Sequence, residues 1–575
     1  MTNAEISQMF NMIGDLLEIK GEDRYRVQAY RRAAQGVADY PGSVEALWKD
    51  DKLEDIPGVG KTLAAKIDEL LRTGTLDFYE RLRAEIPSSL IEVLRVPGVG
   101  PKRAQILWKS LGVTNLAELE AAAESGRLAS LSGWGEKTAQ NVLKGIQQAR
   151  SLDDRMMLAN ALPIAQALVD ALRRGPGVLD ADMAGSLRRR KETVGDIDIL
   201  CAAHDTAPVV AYYTSLPQVQ KIMSAGESKA TILLHNGMTA DLMVLPPESW
   251  GSLLQHFTGS KEHNIQLRSL SVADGLHISE YGITHNDVLT PYADERDVYR
   301  ALGMDWIPPE LREGSGEIQA ARAHKLPRLI ELTDVRGDLQ MHTTWSDGNS
   351  SVETMARAAL AQGWEWIAIT DHSRGMGMTH GLDPDKARQQ AEEIDAANRL
   401  LAPFRIFKSV ELEILPDGTM ALPDDVLAEF DVVVAAAHIG QRGDRETLTR
   451  RYLNAIHNPH VDIIAHPFGR LIGRRPPMDL DFEAIVAACV ETRTALEING
   501  QPDRLDLDAP NARHAKEQGV MLTLATDSHV PTGFSAMQYA VSQARRAWVE
   551  AGDVLNTKSL AEIEAWLRLP KASRR

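Results

Sequence analysis

The stretch Gly185–Leu200, GSLRRRKETVGDIDIL, decides how the rest of the chain is read. It opens on Gly185-Ser186, a tight turn whose backbone N–H groups are free to meet an anion. A basic run follows, Arg188, Arg189, Arg190 and Lys191, and then a strand pattern, Asp196-Ile197-Asp198-Ile199-Leu200. On a strand, residues two apart point the same way, so Asp196 and Asp198 share one face while Ile197 and Ile199 face the core. Neighbouring carboxylates repel unless a cation lies between them. Mg²⁺ suits that place where phosphates also bind, because it takes oxygen ligands from carboxylates and substrate phosphates together. The turn and the arginines are suited to cradle a triphosphate. A DxD pair alone is commonly a solvated strand edge. The turn and basic run beside this one argue for chemistry.

A third carboxylate, Asp241, lies in Met238–Leu245, MTADLMVL, another strand-like run. On a neighbouring strand it completes a three-carboxylate site for two metal ions. Such a site activates a primer 3′-hydroxyl and holds the leaving pyrophosphate. GS…RR…GDIDIL followed by a single Asp on a later strand resembles the palm of the family X DNA polymerases, the polymerase beta group.

The chain has 575 residues, enough for several domains, with 44% hydrophobic and 25% charged residues, an ordinary globular balance. No apolar run reaches the roughly 18 residues of a membrane span, and the acidic start MTNAEISQMFNMIGDLL lacks the basic region of a signal peptide. Cys201 and Cys489 lie far apart without metal-ligand spacing, as small buried hydrophobes do. A cytoplasmic protein is expected. The formal net charge of −17 argues against a general nucleic-acid coat, but leaves room for DNA contact through short basic loops and backbone N–H groups.

Working outward toward the amino terminus, three segments repeat one pattern. Ile56-Pro57-Gly58-Val59-Gly60-Lys61 precedes a helix, and so does Val96-Pro97-Gly98-Val99-Gly100-Pro101-Lys102. A looser copy is Leu131-Ser132-Gly133-Trp134-Gly135-Glu136-Lys137. This is the helix-hairpin-helix pattern. Its glycines let the backbone approach phosphates at a helix start, a contact independent of base sequence. Gly58, Gly60, Lys61, Gly98, Gly100, Lys102, Gly133 and Gly135 are therefore candidate DNA contacts. The amino-terminal segment also resembles the lyase domain of polymerase beta, in which Lys66 matches the Schiff-base lysine. Such a lysine must be neutral to attack, through burial or a neighbouring cation such as Lys61.

Beyond the palm, Gln255–Arg268, QHFTGSKEHNIQLR, resembles the thumb motif of the same family. That resemblance implies that Phe257 stacks on the nucleotide sugar, Gly259 lets the backbone turn close to it, and Asn264 bonds the base edge. His256 stands where polymerase beta has Tyr. Met243 stands where an arginine near the catalytic carboxylates is common.

Past Leu311–Thr333 the pattern changes to short apolar runs alternating with helices. Several runs lead into metal-type residues: Trp366–Thr370 before Asp371-His372, Arg405–Val410 before Glu411, and Val432–Ala437 before His438. Val461–Ala465 precedes His466, and Val520–Thr526 precedes Asp527 and His529. Gly337–Gly348 brings His342 and Asp347. The alternation reads as a parallel barrel with reactive groups at the strand ends. Five histidines and three carboxylates so placed point to a multinuclear metal site. This part resembles the PHP (polymerase and histidinol phosphatase) domain, a distorted seven-stranded barrel with up to three metals. The resemblance implies His342, Asp347, His372, Glu411, His438, His466, Asp527 and His529 as ligands. The usual first motif is His-x-His. Here it is Gln340-Met341-His342, and glutamine is a poor Zn or Mn ligand, so one ion is expected to bind weakly.

The expected fold is multidomain, α+β and α/β: a helical helix-hairpin-helix region, a nucleotidyltransferase palm with thumb, and a C-terminal distorted (β/α)7 PHP barrel. The expected boundaries are 1–85 lyase-like domain, 86–150 further helix-hairpin-helix repeats, 151–250 palm, 251–315 thumb, 316–333 linker and 334–575 PHP domain. The expected protein is a monomeric repair polymerase for short gaps, of base-excision type, acting on gapped or primer-template DNA with deoxynucleoside triphosphates. Mg²⁺ or Mn²⁺ serves the palm, and Mn²⁺ or Zn²⁺ the PHP site. The PHP activity is a 3′–5′ exonuclease, an abasic-site endonuclease or a 3′-phosphatase. Two alternatives stand: a repair nuclease with an impaired polymerase core, motivated by His256 and Met243, and a DNA end-binding scaffold with a degenerate PHP domain, motivated by Gln340.

Overall fold

The computed structural model describes residues 3–40, 44–87, 89–94, 96, 99–131, 134, 138–143, 145–146, 155–273, 275–375 and 380–574. The chain divides into two compact units, Met1–Asp153 with Arg470–Pro477, and Asp154–Gly469 with Met478–Arg575.

The described part of Met1–Asp153 is helical. Helix Asn3–Lys20 buries Ile6, Phe10, Ile13 and Leu17, one stripe at helical spacing. Helix Arg24–Asp39 starts at Asp23, whose side chain accepts from the Tyr25 N–H. Helix Lys61–Thr73 runs from Gly60 to Gly74, and helix Pro101–Leu111 from Gly100 to Gly112. Both C-terminal glycines adopt the left-handed conformation that closes a helix. The turn before Gly60 packs backbone to backbone on helix Arg24–Asp39: a Cβ on Gly36 would fall 1.8 Å from the Pro57 carbonyl oxygen.

In the other unit, helix Leu158–Arg173 leads into a five-stranded sheet. Its strands are β1 (Asp180–Met183), β2 (Ile197–Ala202), β3 (Val219–Ala225), β4 (Lys229–Leu234) and β5 (Thr239–Leu245), ordered β1-β2-β5-β4-β3. Only β2 and β5 pair in parallel, and their register sets Asp198 beside Asp241. Helices Trp250–Thr258 and Lys261–Ala273 follow, then a small antiparallel sheet. Segment 316–333, expected as a linker, is partly packed. Helix Glu317–Arg322 buries Ile318 and Ala321 in a cluster with Tyr299 and Ile307. Gly314-Ser315-Gly316 leads into that helix: the Gly314 and Ser315 N–H groups donate to the Glu317 carboxylate at 2.9 and 2.7 Å.

Seven parallel strands then follow in sequence order: β6 (Gly337–Asp338), β7 (Trp366–Ile369), β8 (Arg405–Glu413), β9 (Val432–Ala436), β10 (Ile463–Ile464), β11 (Ala495–Asn499) and β12 (Leu522–Ala525). The sheet curls until its ends meet. The His342 N–H donates to Ser528 O at 2.8 Å, and the Asp527 N–H to Gln340 O at 3.0 Å. Alternation explains the layers. Trp366, Ala368, Phe407, Val434 and Ile463 converge in one cluster inside the barrel, with Ile563 and Trp566 of helix Leu560–Arg568 packed against it. Their strand neighbours Ile367, Ile369, Val433 and Ile464 face the surrounding helices. No helix among the described residues is long and apolar enough to cross a membrane.

Candidate active sites

In the palm, oxygens of Asp196, Asp198 and Asp241 all come within 4.8 Å of one another. Gly185 adopts a φ of +58, and a Cβ there would fall 1.9 Å from Asp198 Oδ2, so only glycine brings this turn so close to the carboxylate. The turn is the first residue pair of a short helix, Gly185–Arg188, and Ser186 lies half-buried in it. The Asp198 carboxyl is pushed up to about 7, first by burial and then by Asp196 and Asp241. Thr231, opposite Asp241 on β4, donates its hydroxyl to Asp241 Oδ1 at 2.5 Å. Sequence reading missed this threonine, because its role appears only once β4 and β5 are in register. Met243, where an arginine was the expectation from resemblance, packs in an apolar cluster with Leu200 and Leu254, against which Phe257 rests.

The basic run divides its labour. Arg188 donates twice to Glu295, at 2.9 and 3.0 Å, and once to Thr258 Oγ1 at 2.6 Å, so it ties the palm to the segment beyond rather than serving a triphosphate. Arg189 Nη1 donates to Thr258 O at 2.6 Å and Nε to Glu313 at 3.1 Å. Gly259 has a φ of +69, and a Cβ on it would lie 3.0 Å from Arg189 Nη1, which brings these two predicted residues together. Asn264 is held by its amide: Nδ2 donates to His256 O at 2.8 Å, and Oδ1 accepts from Gln255 at 2.9 Å. His256 Nδ1 lies 3.8 Å from Glu280.

At the carboxyl ends of the barrel strands, two carboxylates collect the histidines. Glu411 oxygens lie 3.4 Å from His342 Nε2, 3.0 Å from His372 Nδ1, 3.2 Å from His438 Nε2 and 3.0 Å from His466 Nε2. Asp347 oxygens lie 3.5 Å from His372 and 3.4 Å from His529. Asp527 Oδ1 is 3.1 Å from His342 Nε2. All eight predicted ligands thus face one pocket. Burial pushes the Asp347 carboxyl up, but hydrogen bonds from His372 and His529 bring it well below the usual range, and that pairing lifts His529 to about 9 against burial. His466 and Asp527 both have positive φ, 26 and 50, a strain of roughly 1–3 kcal/mol each.

Divalent metal ions fit this donor set. Nδ1 of His342, Nδ1 of His466 and both polar atoms of Gln340 are buried without a hydrogen-bond partner among the described residues. The supporting shell was largely missed. Glu413 accepts from His438 Nδ1 at 2.8 Å, which leaves Nε2 aimed at Glu411. Asp371 turns away from the pocket and accepts from Thr343 N at 2.8 Å and Ser346 Oγ at 2.5 Å, bracing the loop that presents His342 and Asp347. Glu497 accepts from the His466 N–H at 3.0 Å, and Asn499 donates to Asp527 at 3.2 Å.

In the helical unit, Gly60 and Gly100 start their helices with open space where a Cβ would stand, and Lys61 and Lys102 are exposed beside them. Gly58 has a φ of +80 and packs its Cα side against the Arg32 carbonyl, 2.9 Å from a Cβ. Gly98, Gly133 and Gly135 lie outside the described residues. Lys66 is half-buried, with Nζ 4.0 Å from the centre of the Phe78 ring. Its amine is lowered first by burial; Glu69 opposes this, and the cations that add to it are Arg26 and Arg81 rather than Lys61.

Known proteins match along the whole chain. Residues 253–313 match the DNA polymerase beta thumb, 1–76 a helix-hairpin-helix domain and 90–148 a SAM-like helix-hairpin-helix tandem. The DNA polymerase/3′-5′ exonuclease PolX of Bacillus subtilis is 36% identical over 572 residues, 99% of this chain and 100% of the relative. DNA polymerase lambda of Rattus norvegicus is 25% identical over 345 residues, 54% of this chain and 56% of its own. A probable phosphatase of Thermoanaerobacter sp. (strain X514) is 30% identical over 250 residues, 40% of this chain and 95% of its own. With a three-carboxylate palm, a metal-type pocket on a seven-stranded barrel and end-to-end similarity of this extent, the chain belongs to the family X DNA polymerases that carry a PHP domain.

Proposed function

We infer that the protein is a DNA-directed DNA polymerase that fills short gaps during base-excision repair and hydrolyses phosphoesters at DNA ends through its PHP domain. The register that sets Asp198 beside Asp241, with the Gly185 turn against Asp198, carries the polymerase reading. Asp196, Asp198 and Asp241 are suited to hold two ions, Mg²⁺ or Mn²⁺. Ions bound there supply charge neutralisation at the transferring phosphoryl group. Gly185 and Ser186 offer backbone N–H groups to a triphosphate, and Arg189 a guanidinium. Phe257 and Gly259 meet the sugar, and Asn264 turns from His256 O to the base edge. Gly58, Gly60, Lys61, Gly98, Gly100, Lys102, Gly133 and Gly135 grip the backbone around the gap.

For the PHP pocket we favour Mn²⁺ or Zn²⁺, up to three ions, and 3′–5′ exonuclease over abasic-site endonuclease or 3′-phosphatase. His342, Asp347, His372, Glu411, His438, His466, Asp527 and His529 hold the ions, with Gln340 the weak position. Lys66, lowered by burial, is the lyase candidate: if borohydride traps no adduct with abasic DNA, or traps it equally in Lys66→Ala, that role falls. The protein acts as a cytoplasmic monomer.

The deciding experiment uses a 5′-labelled primer in a one-nucleotide gap with Mn²⁺, with and without nucleotides. Wild type extends and, without nucleotides, shortens the primer. Asp196→Ala with Asp198→Ala only shortens it. Extension by that double variant would overturn the palm assignment.

A further inference from the structure

We propose that Arg546, contributed by the PHP domain, is a positioning residue for nucleotide addition in the palm. Helix Met537–Arg546 follows β12 and ends on Arg545 and Arg546. Arg546 is largely buried, with 9% of its side chain exposed. Its Nη1 donates to the Arg189 carbonyl oxygen at 3.1 Å and lies 3.3 Å from Glu313 Oε1. The same Glu313 oxygen accepts from Arg189 Nε at 3.1 Å, and the other lies 3.7 Å from Lys191 Nζ. One turn earlier on the helix, Gln543 donates to Glu192 at 3.1 Å. The barrel's helix therefore seats on the loop that carries the triphosphate candidate Arg189.

One carboxylate here serves three cations. Glu313 holds Arg189 Nε through a single charge-assisted hydrogen bond, and so competes with an incoming triphosphate for that donor. Arg546 offsets that competition in two ways. It takes a share of the Glu313 oxygen, and it anchors the Arg189 backbone so that the side chain keeps its aim when the nucleotide arrives. Without Arg546, Glu313 closes on Arg189 and Lys191, and the loop loses its tie to the barrel.

The inference rests on Arg189 as a triphosphate contact, and Arg189→Ala tests that reading separately. Full-length variants are assayed for gap filling at varied nucleotide concentration, for primer shortening without nucleotide, and for DNA binding. Arg546→Gln raises KM for the nucleotide by roughly three- to tenfold, with kcat, DNA affinity and shortening near wild type. Arg546→Lys, which keeps one cationic nitrogen at that place, recovers most of the loss. Glu313→Gln lowers KM, and on that background Arg546→Gln has little further effect. An unchanged KM in Arg546→Gln overturns the proposal, as does a fall in shortening or DNA binding to match, or full additivity with Glu313→Gln. Should Arg546→Gln fail to fold, an unchanged or raised KM in Glu313→Gln overturns it instead. If Arg189→Ala also leaves KM unchanged, the triphosphate reading itself fails. If Arg189→Ala raises KM and Arg546→Gln does not, only the role of Arg546 fails.

Discussion

Asp198 shows what the palm costs at a single residue. Burial and two neighbouring carboxylates hold its carboxyl up at about 7. A carboxyl raised above its unfolded value favours the fold while protonated, and that contribution is lost as pH rises from about 4 to about 7. Metal-free wild type therefore loses stability across that window, and Asp198→Asn does not share this loss. With chelator present, Tm of Asp198→Asn minus that of wild type is expected to grow by several degrees between about pH 5 and about pH 8. Mg²⁺ at the higher pH narrows the difference. A gap independent of pH would refute the repulsion. The barrel has its own residue-scale test. His438→Ala removes a side chain held between Glu411 and Glu413, and should cut primer shortening by at least about a hundredfold while gap filling persists.

At the scale of the element, legibility followed from whether a strand ended in a candidate ligand. β7, β9 and β12 were visible because each apolar run leads straight to a histidine or aspartate. β11 was not, because its polar residues Glu497 and Asn499 act through His466 and Asp527 rather than by themselves forming a recognisable motif. Glu413 escaped notice because the strand was read as ending at Val410, and only its extension to Glu413 sets the second carboxylate on the face of Glu411. Consecutive arginines posed a similar difficulty. Nothing local separates Arg188 from Arg189, since the partner that claims Arg188, Glu295, lies 107 residues away. Gln340 belongs to this scale too, sitting between β6 and the closure of the barrel with both amide atoms unsatisfied among the described residues. Gln340→His should raise the tightly bound metal by one ion per chain, read by elemental analysis after gel filtration, and raise Tm. Equal metal content and equal hydrolysis in both proteins would show that glutamine at this position is harmless.

For the whole molecule, a net charge of −17 means that DNA is recruited locally rather than by an overall field. If Lys61 and Lys102 each neutralise one phosphate, replacing either by Ala should weaken binding to every DNA sequence alike and flatten the dependence of log affinity on log salt by about 0.9. A loss confined to one base sequence would contradict backbone recognition. The closure of the barrel has a consequence for how the protein is made. His342 and Asp527 lie 3.1 Å apart but are separated by 185 residues of chain. A ribosome releases all three palm carboxylates long before it reaches Asp527 and His529. The palm's three carboxylates can thus be complete in covalent structure while the barrel still lacks two of its candidate ligands. A premature stop or a clipped tail removes the barrel's closing residues first and leaves the palm's residues untouched.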